Sequence, residues 1–219
     1  MACRKLTQVR VLLTAFEPYD QWTTNSSWLT LVELLKDLPS GGALVTRRYP
    51  VDLHALQEKL KQDLQRDFDV VLHLGQSPGA SGIKLEAVAL NVAGCLNEHG
   101  EELGEIISGG PVAYRSNMPL GRWSALLRAS HIPSVISYHA GTFLCNATMY
   151  LSHHELQLRA AKKRHSNCKV GFVHLPLATE QVATQGHSLP SLPLSTLARA
   201  VRLLLEDLQE FHGQSEHVA

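Results

Sequence analysis

The sequence lacks an excess of charge of either sign. Twenty Lys and Arg face twenty Asp and Glu, and the sequence pI is about 7.2. Nothing in that balance resembles the basic surface of a nucleic-acid-binding domain or a polybasic membrane patch. No apolar run approaches the roughly 20 residues a membrane span needs, and Met1 to Gln8 lack the apolar core of a signal peptide. Cysteine is scarce: Cys3, Cys95, Cys145 and Cys168 are widely scattered and do not form a disulfide framework. A reducing, cytoplasmic setting without nucleic-acid or membrane partners is the resulting expectation. Asn25-Ser26-Ser27 and Asn146-Ala147-Thr148 match the glycosylation pattern, which such a setting makes incidental. There is no internal repeat, low-complexity tract or linker. The 219 residues, 44% hydrophobic, suit a single domain over 1–219 with its core over about 9–211 and a frayed tail from His212.

What is present is an alternation of strand and helix patterns. Val9 to Phe16 is a β-rich run, and Asn25 or Ser26 can cap a helix over Ser27 to Leu38. A second strand spans Ala43 to Val51. Asp52 can then cap a helix whose Leu53, Leu56, Leu60 and Leu64 share a face. Strands are predicted at Asp69 to Gly75 and Ile83 to Val92, followed by a long polar loop from Ala93 to Pro111. A helix over Leu120 to Ser130 leads to a strand at Val135 to Tyr138, and a helix from Ala147 to near Arg164 precedes a strand over Cys168 to His174. Ser195 can cap a last helix striped by Leu197, Val201, Leu204, Leu208 and Phe211. The alternation predicts an α/β/α sandwich around a twisted, largely parallel, mixed sheet.

In such sheets functional groups gather at the carboxyl ends of strands, where Phe16, Gln76, Cys145 and His174 fall. Cys145 follows a strand and opens a helix, where free N–H groups and the helix dipole favour a thiolate. A buried free cysteine is the plainer reading for a lone residue. A cysteine hydrolase also needs an imidazole and a group to orient it. His174 ends an apolar strand. Glu86 sits in a segment suited to burial, where a carboxylate needs a partner; a solvated Glu86 on an exposed face is the alternative.

Four blocks carry a family resemblance: Thr14-Ala15-Phe16-Glu17-Pro18-Tyr19, Gly75-Gln76 through Glu86-Ala87-Val88-Ala89-Leu90-Asn91, Ala140-Gly141-Thr142-Phe143-Leu144-Cys145-Asn146, and Gly171-Phe172-Val173-His174-Leu175-Pro176. In order and spacing over about residues 9–182 the chain resembles pyroglutamyl-peptidase I, cysteine peptidases that remove an amino-terminal pyroglutamate. The resemblance implies Cys145 as nucleophile, His174 as general acid/base and Glu86 as its orienting group. It implies Phe16, Tyr19, Phe143 and Leu144 around the lactam ring, with Gln76 reading its polar groups. It also implies no metal or other cofactor, peptides with an amino-terminal pyroglutamate as partners, and a homotetramer. This sequence departs from the family at Asp20-Gln21-Trp22, where a glycine pair is usual, at Tyr19, where Phe is usual, at Ser77-Pro78-Gly79-Ala80-Ser81 after Gln76, and in the loop Ala93 to Gly100.

Three rival readings stand beside this one. The same Cys-His-Glu set could open a different lactam or amide. The chain could be a binding protein with little catalysis. His153, His154, His165 and Cys168 are zinc-compatible residue types, although their spacing matches no common zinc pattern.

Overall fold

A computed structural model describes residues 9–37, 43–94, 104–161, 168–185 and 188–215. β1 (Val11–Phe16) is buried along its whole length, as its apolar run requires. Asn25 caps α1 (Ser26–Leu35), its side-chain oxygen accepting from the Ser27 amide at 3.0 Å. β2 (Leu44–Tyr49) leads to α2 (Leu53–Asp63), which Asp52 caps by accepting from the Ala55 amide at 2.8 Å. Next come β3 (Val70–Gln76), β4 (Ile83–Glu86), β5 (Val88–Leu90), β6 (Ala113–Arg115), α3 (Leu120–Ala129) and β7 (Ser134–Ser137). The chain finishes with α4 (Leu144–Ala161), β8 (Lys169–Leu175), β9 (Leu177–Ala178), α5 (Thr179–Gln185), β10 (Ser191–Leu192) and α6 (Leu194–Ser215).

The main sheet has the order β2-β1-β3-β8-β4-β7. The first four strands are mutually parallel; β4 runs antiparallel to β8 and parallel to β7. The fold is therefore the expected α/β sandwich on a largely parallel, mixed sheet. Successive side chains point to opposite faces, and two cores follow. Leu13, Leu72, Leu85 and Val173 pack with α1, α3 and α6 through Leu31, Trp123, Leu127, Val201 and Leu204. Leu12, Val71 and Phe172 pack with α2 and α4 through Leu56, Leu60, Met149 and Tyr150. Asp207 ties α3 to α6, accepting from Trp123 Nε1 at 2.9 Å and Arg122 Nη2 at 2.7 Å.

Several predicted boundaries shift for physical reasons. The strand expected over 83–92 breaks at Ala87, whose amide donates to Ser137 O while β5 leaves to pair with β6. α4 opens at Leu144, not Ala147, so Cys145 lies inside its first turn. Ser195 does not cap α6. The Thr196 and Leu197 amides donate to Pro193 O, and the Leu194 amide donates to the Glu180 carboxylate of α5, an anion placed at a helix N-terminus. α6 continues to Ser215, past the expected fraying at His212. Leu53 is 37% exposed and leaves the α2 stripe to Leu56, Leu60 and Leu64. Of the expected long loop, 95–103 lie outside the described residues, as do most of the departing residues 93–100. Ile107 is pinned by Asn91, whose carboxamide donates to Ile107 O at 2.8 Å and accepts from its amide at 2.9 Å.

Candidate active site

The pleat decides which side chains meet. His73, Gly75, Phe172, His174 and Glu86 fall on the sheet face covered by α4, the helix that carries Cys145. β7 runs parallel to β4 but opposite to β8, so its carboxyl end points toward the amino ends of β3 and β8; loop 138–143 connects it to α4. Gly141 turns this loop with φ of 83°, a conformation glycine adopts without strain. Asn146 then locks the start of α4 to β5. Its carboxamide donates to Leu90 O at 2.9 Å and Val92 O at 2.8 Å, and accepts from the Leu90 amide at 2.8 Å.

The Cys145 thiol acts on the His174 imidazole, whose proton affinity it raises. On the other side of the ring, His174 Nδ1 donates to Glu86 Oε1 at 2.8 Å. Glu86 is wholly buried, so the reading of an exposed, solvated carboxylate is overturned. Burial by itself works to lower the His174 pKa. The charge and hydrogen bond of Cys145, then those of Glu86, outweigh it and raise His174 from 6.5 to about 9. The imidazolium is therefore the favoured form of His174 at neutral pH. Close approach needs glycine at position 75: a Cβ there would lie 2.6 Å from Phe172 Cζ and 3.1 Å from Cys145 Sγ.

Cys145 opens onto a cleft of about 250 Å³ whose lining includes Phe16, Tyr19, Gln76, Phe143 and Leu144. All five expected pocket residues thus meet at the nucleophile, while His174 and Glu86 stand behind it. A roomier cavity of about 330 Å³ between β7 and the start of α3 carries neither cysteine nor histidine. Burial first, then the Cys145 charge, pushes the Tyr19 phenol up to about 12, so it stays neutral. Gln76 Oε1 accepts from the Ser26 amide at 2.7 Å and from Gln181 Nε2 at 2.9 Å, whereas its Nε2 is buried without a partner among the described residues. Leaving a buried amide donor unpaired costs free energy.

Asp20 adopts φ of 53°, a left-handed conformation that glycine would take freely. Trp22 is buried against Leu177 and Val182, with Tyr19 packed on the same cluster, so the departing segment builds a wall of the site. Asn25 and Asn146 are 1% and 0% exposed, which removes both glycosylation patterns from the surface. Of the zinc-compatible residues, His165 lies outside the described residues. His154 Nδ1 pairs with the Tyr114 hydroxyl at 2.9 Å, and the His153 ring stacks on Tyr114. The described residues hold no group of three metal-ligating side chains. No described helix is long and apolar enough to cross a membrane. Sequence reasoning assigned no role at the site to Gly75, Asn146 or Gln181. For Gln181, no spacing or composition signals its part.

The sequence profile described as pyroglutamyl peptidase matches residues 9–210. A pyrrolidone-carboxylate peptidase of Clavibacter michiganensis is 36% identical over 197 residues, covering 87% of this chain and 88% of that protein. The Bacillus subtilis pyrrolidone-carboxylate peptidase is 33% identical, covering 89% of each. Among solved structures, the pyrrolidone carboxyl peptidase of Fervidobacterium islandicum superposes with a TM-score of 0.82 at 36% identity, covering 93% of this chain and 99% of that one. That of Thermus thermophilus gives 0.76 at 32% identity, covering 90% and 98%. The chain belongs to the pyroglutamyl peptidase family of cysteine peptidases.

Proposed function

We propose that this protein hydrolyses the amide bond after an amino-terminal pyroglutamyl residue of peptides, through a Cys145–His174–Glu86 triad. The observation that carries the reading is the His174 imidazole, held by buried Glu86 at 2.8 Å and raised in proton affinity by Cys145, with Cys145 itself lining a small apolar cleft.

The thiolate of Cys145 attacks the pyroglutamyl carbonyl carbon. The negative oxygen that forms faces the free N–H groups of the first turn of α4. His174, protonated before attack, gives its Nε2 proton to the departing amine, and the C–N bond breaks to leave a thioester. Neutral His174 then takes a proton from water, which attacks the thioester; pyroglutamic acid leaves and the thiolate–imidazolium pair returns. Glu86 holds Nδ1–H throughout and stabilises the cation. Phe16, Tyr19, Phe143 and Leu144 enclose the flat ring, and Gln76 Nε2 donates to its ring carbonyl. Pyroglutamate carries no amine charge, so shape and this hydrogen bond must provide selectivity.

The same reading includes a reducing, cytoplasmic setting, which the exposed edge of a thiolate requires, and four assembled copies, checked by light scattering. The decisive experiment is fluorophore release from pyroglutamyl-aminomethylcoumarin under reducing conditions. Wild type should turn over, and Cys145→Ala should lose about 10³-fold or more in kcat. A folded wild type that releases nothing, although iodoacetamide alkylates Cys145 at a thiolate's rate, sinks the substrate assignment and leaves a different lactam or amide.

A further inference from the structure

We infer that Gln181 is the positioning residue that sets which way the Gln76 carboxamide faces, and thereby makes the cleft select a ring carbonyl over a ring methylene. The inference deepens the proposed function and rests on its lactam reading.

The argument starts from atoms whose identity is not open to choice. Gln181 is 3% exposed and lies in α5. Its Nε2 donates to the backbone carbonyl of Thr24 at 2.9 Å, and its Oε1 accepts from the Ala178 amide at 3.4 Å. A backbone carbonyl only accepts and a backbone N–H only donates, so the orientation of the Gln181 carboxamide is fixed. The same Nε2 donates to Gln76 Oε1 at 2.9 Å, and the Ser26 amide donates to that oxygen at 2.7 Å. Two donors therefore hold Gln76 Oε1, and its buried Nε2 is left without a partner among the described residues, on a side chain that lines the cleft.

A site with a fixed, desolvated donor favours a ligand that offers an acceptor there. Pyroglutamate offers its ring carbonyl. Proline, the same ring with a methylene in that place, leaves the donor unpaired, and such a mismatch discriminates strongly. Without Gln181, only the Ser26 amide holds the Gln76 carboxamide, and turning it would present oxygen to the cleft instead. Gln181 touches no substrate in this scheme; it acts through Gln76.

The test compares wild type, Gln181→Met and Gln181→Glu in the full-length chain. It measures kcat/KM on pyroglutamyl- and prolyl-aminomethylcoumarin, the thermal midpoint, and the rate of Cys145 alkylation. The pyroglutamyl-to-prolyl ratio should fall at least about tenfold in Gln181→Met, with alkylation of Cys145 unchanged. It should fall further in Gln181→Glu, whose carboxylate repels Gln76 Oε1. A merely structural role lowers both activities together and leaves the ratio where it was, and that result in either folded variant overturns the inference. A second readout needs no turnover: protection of Cys145 from iodoacetamide by 2-pyrrolidone. If wild type hydrolyses neither amide, the proposed reaction fails. Weaker protection in the variants then still upholds the role of Gln181, whereas equal protection, or none in wild type, overturns it.

Discussion

His174 carries the pH dependence of the site. Its ordinary value of 6.5 is raised to about 9, so the imidazolium persists through neutrality and is lost as pH rises through about 9. If the thiolate–imidazolium pair is the active form, kcat/KM should fall on the alkaline side with a midpoint near 9. Glu86→Gln removes one of the two anions that hold the proton, so the alkaline limb should move to lower pH. A limb that stays in place on stopped-assay profiles of the variant would separate Glu86 from the protonation of His174. Gly75 makes a different demand, for space. Gly75→Ala puts a methyl group against the Phe172 ring and the Cys145 sulfur. Overpacking of this kind costs about 1–3 kcal/mol. Displacing the nucleophile should lower kcat on the order of 10²-fold, with a smaller change in KM. Steady-state kinetics beside a urea melt would read both effects.

At the scale of elements, the site depends on how α4 and α5 are seated. Asn146, with no exposed surface, makes two hydrogen bonds to Leu90 of β5 and one to Val92 just after it, and these fix the first turn of α4 around Cys145. Asn146→Ala takes away the partners that this side chain supplies to half-buried backbone groups of Leu90 and Val92. It should destabilise the fold by about 2–4 kcal/mol, read as a shift of the urea midpoint. It should also slow alkylation of Cys145, because the helix start no longer faces the thiol. Much of this arrangement was legible beforehand. Alternating strand and helix patterns gave the layers, and the junction of Cys145 with an apolar strand end at His174 gave the site. The paired Glu86 followed from the expense of a buried carboxylate. Asn146, Gly75 and Gln181 were not legible as site residues, because each acts through contacts 56, 70 or 105 positions away in sequence or through a Cβ it does not have. The reversal of β4 and β7 was likewise hidden, since four-residue strands carry no direction in their hydrophobic pattern.

For the whole molecule, buried histidines of opposite behaviour bracket the pH range in which the fold is firmest. His73 is wholly buried between the hydroxyls of Thr14 at 2.7 Å and Ser152 at 2.8 Å. Burial, with a smaller effect of His153, lowers its pKa from 6.5 to about 3. The unfolded chain therefore takes up this proton before the folded one does. The stability His73 protects is fully present above about 6.5 and drains away as pH falls toward 3, at about 1.4 kcal/mol per pH unit. His153, lowered by burial to about 4, acts in the same direction. His174 has the opposite sign: its contribution is fully present below 6.5 and is lost as pH rises through about 9. These three groups together predict maximal stability near pH 6.5, with separate causes for the two flanks. Urea unfolding at pH 4.5, 5.5, 6.5, 8 and 9 would trace the curve. In His73→Gln the acid flank should flatten by about one proton's slope, whatever the loss of stability at the maximum, and the alkaline flank should keep its shape. An acid flank that keeps the wild-type slope would mean that the carboxylates, not the buried imidazoles, govern how this fold fails in acid.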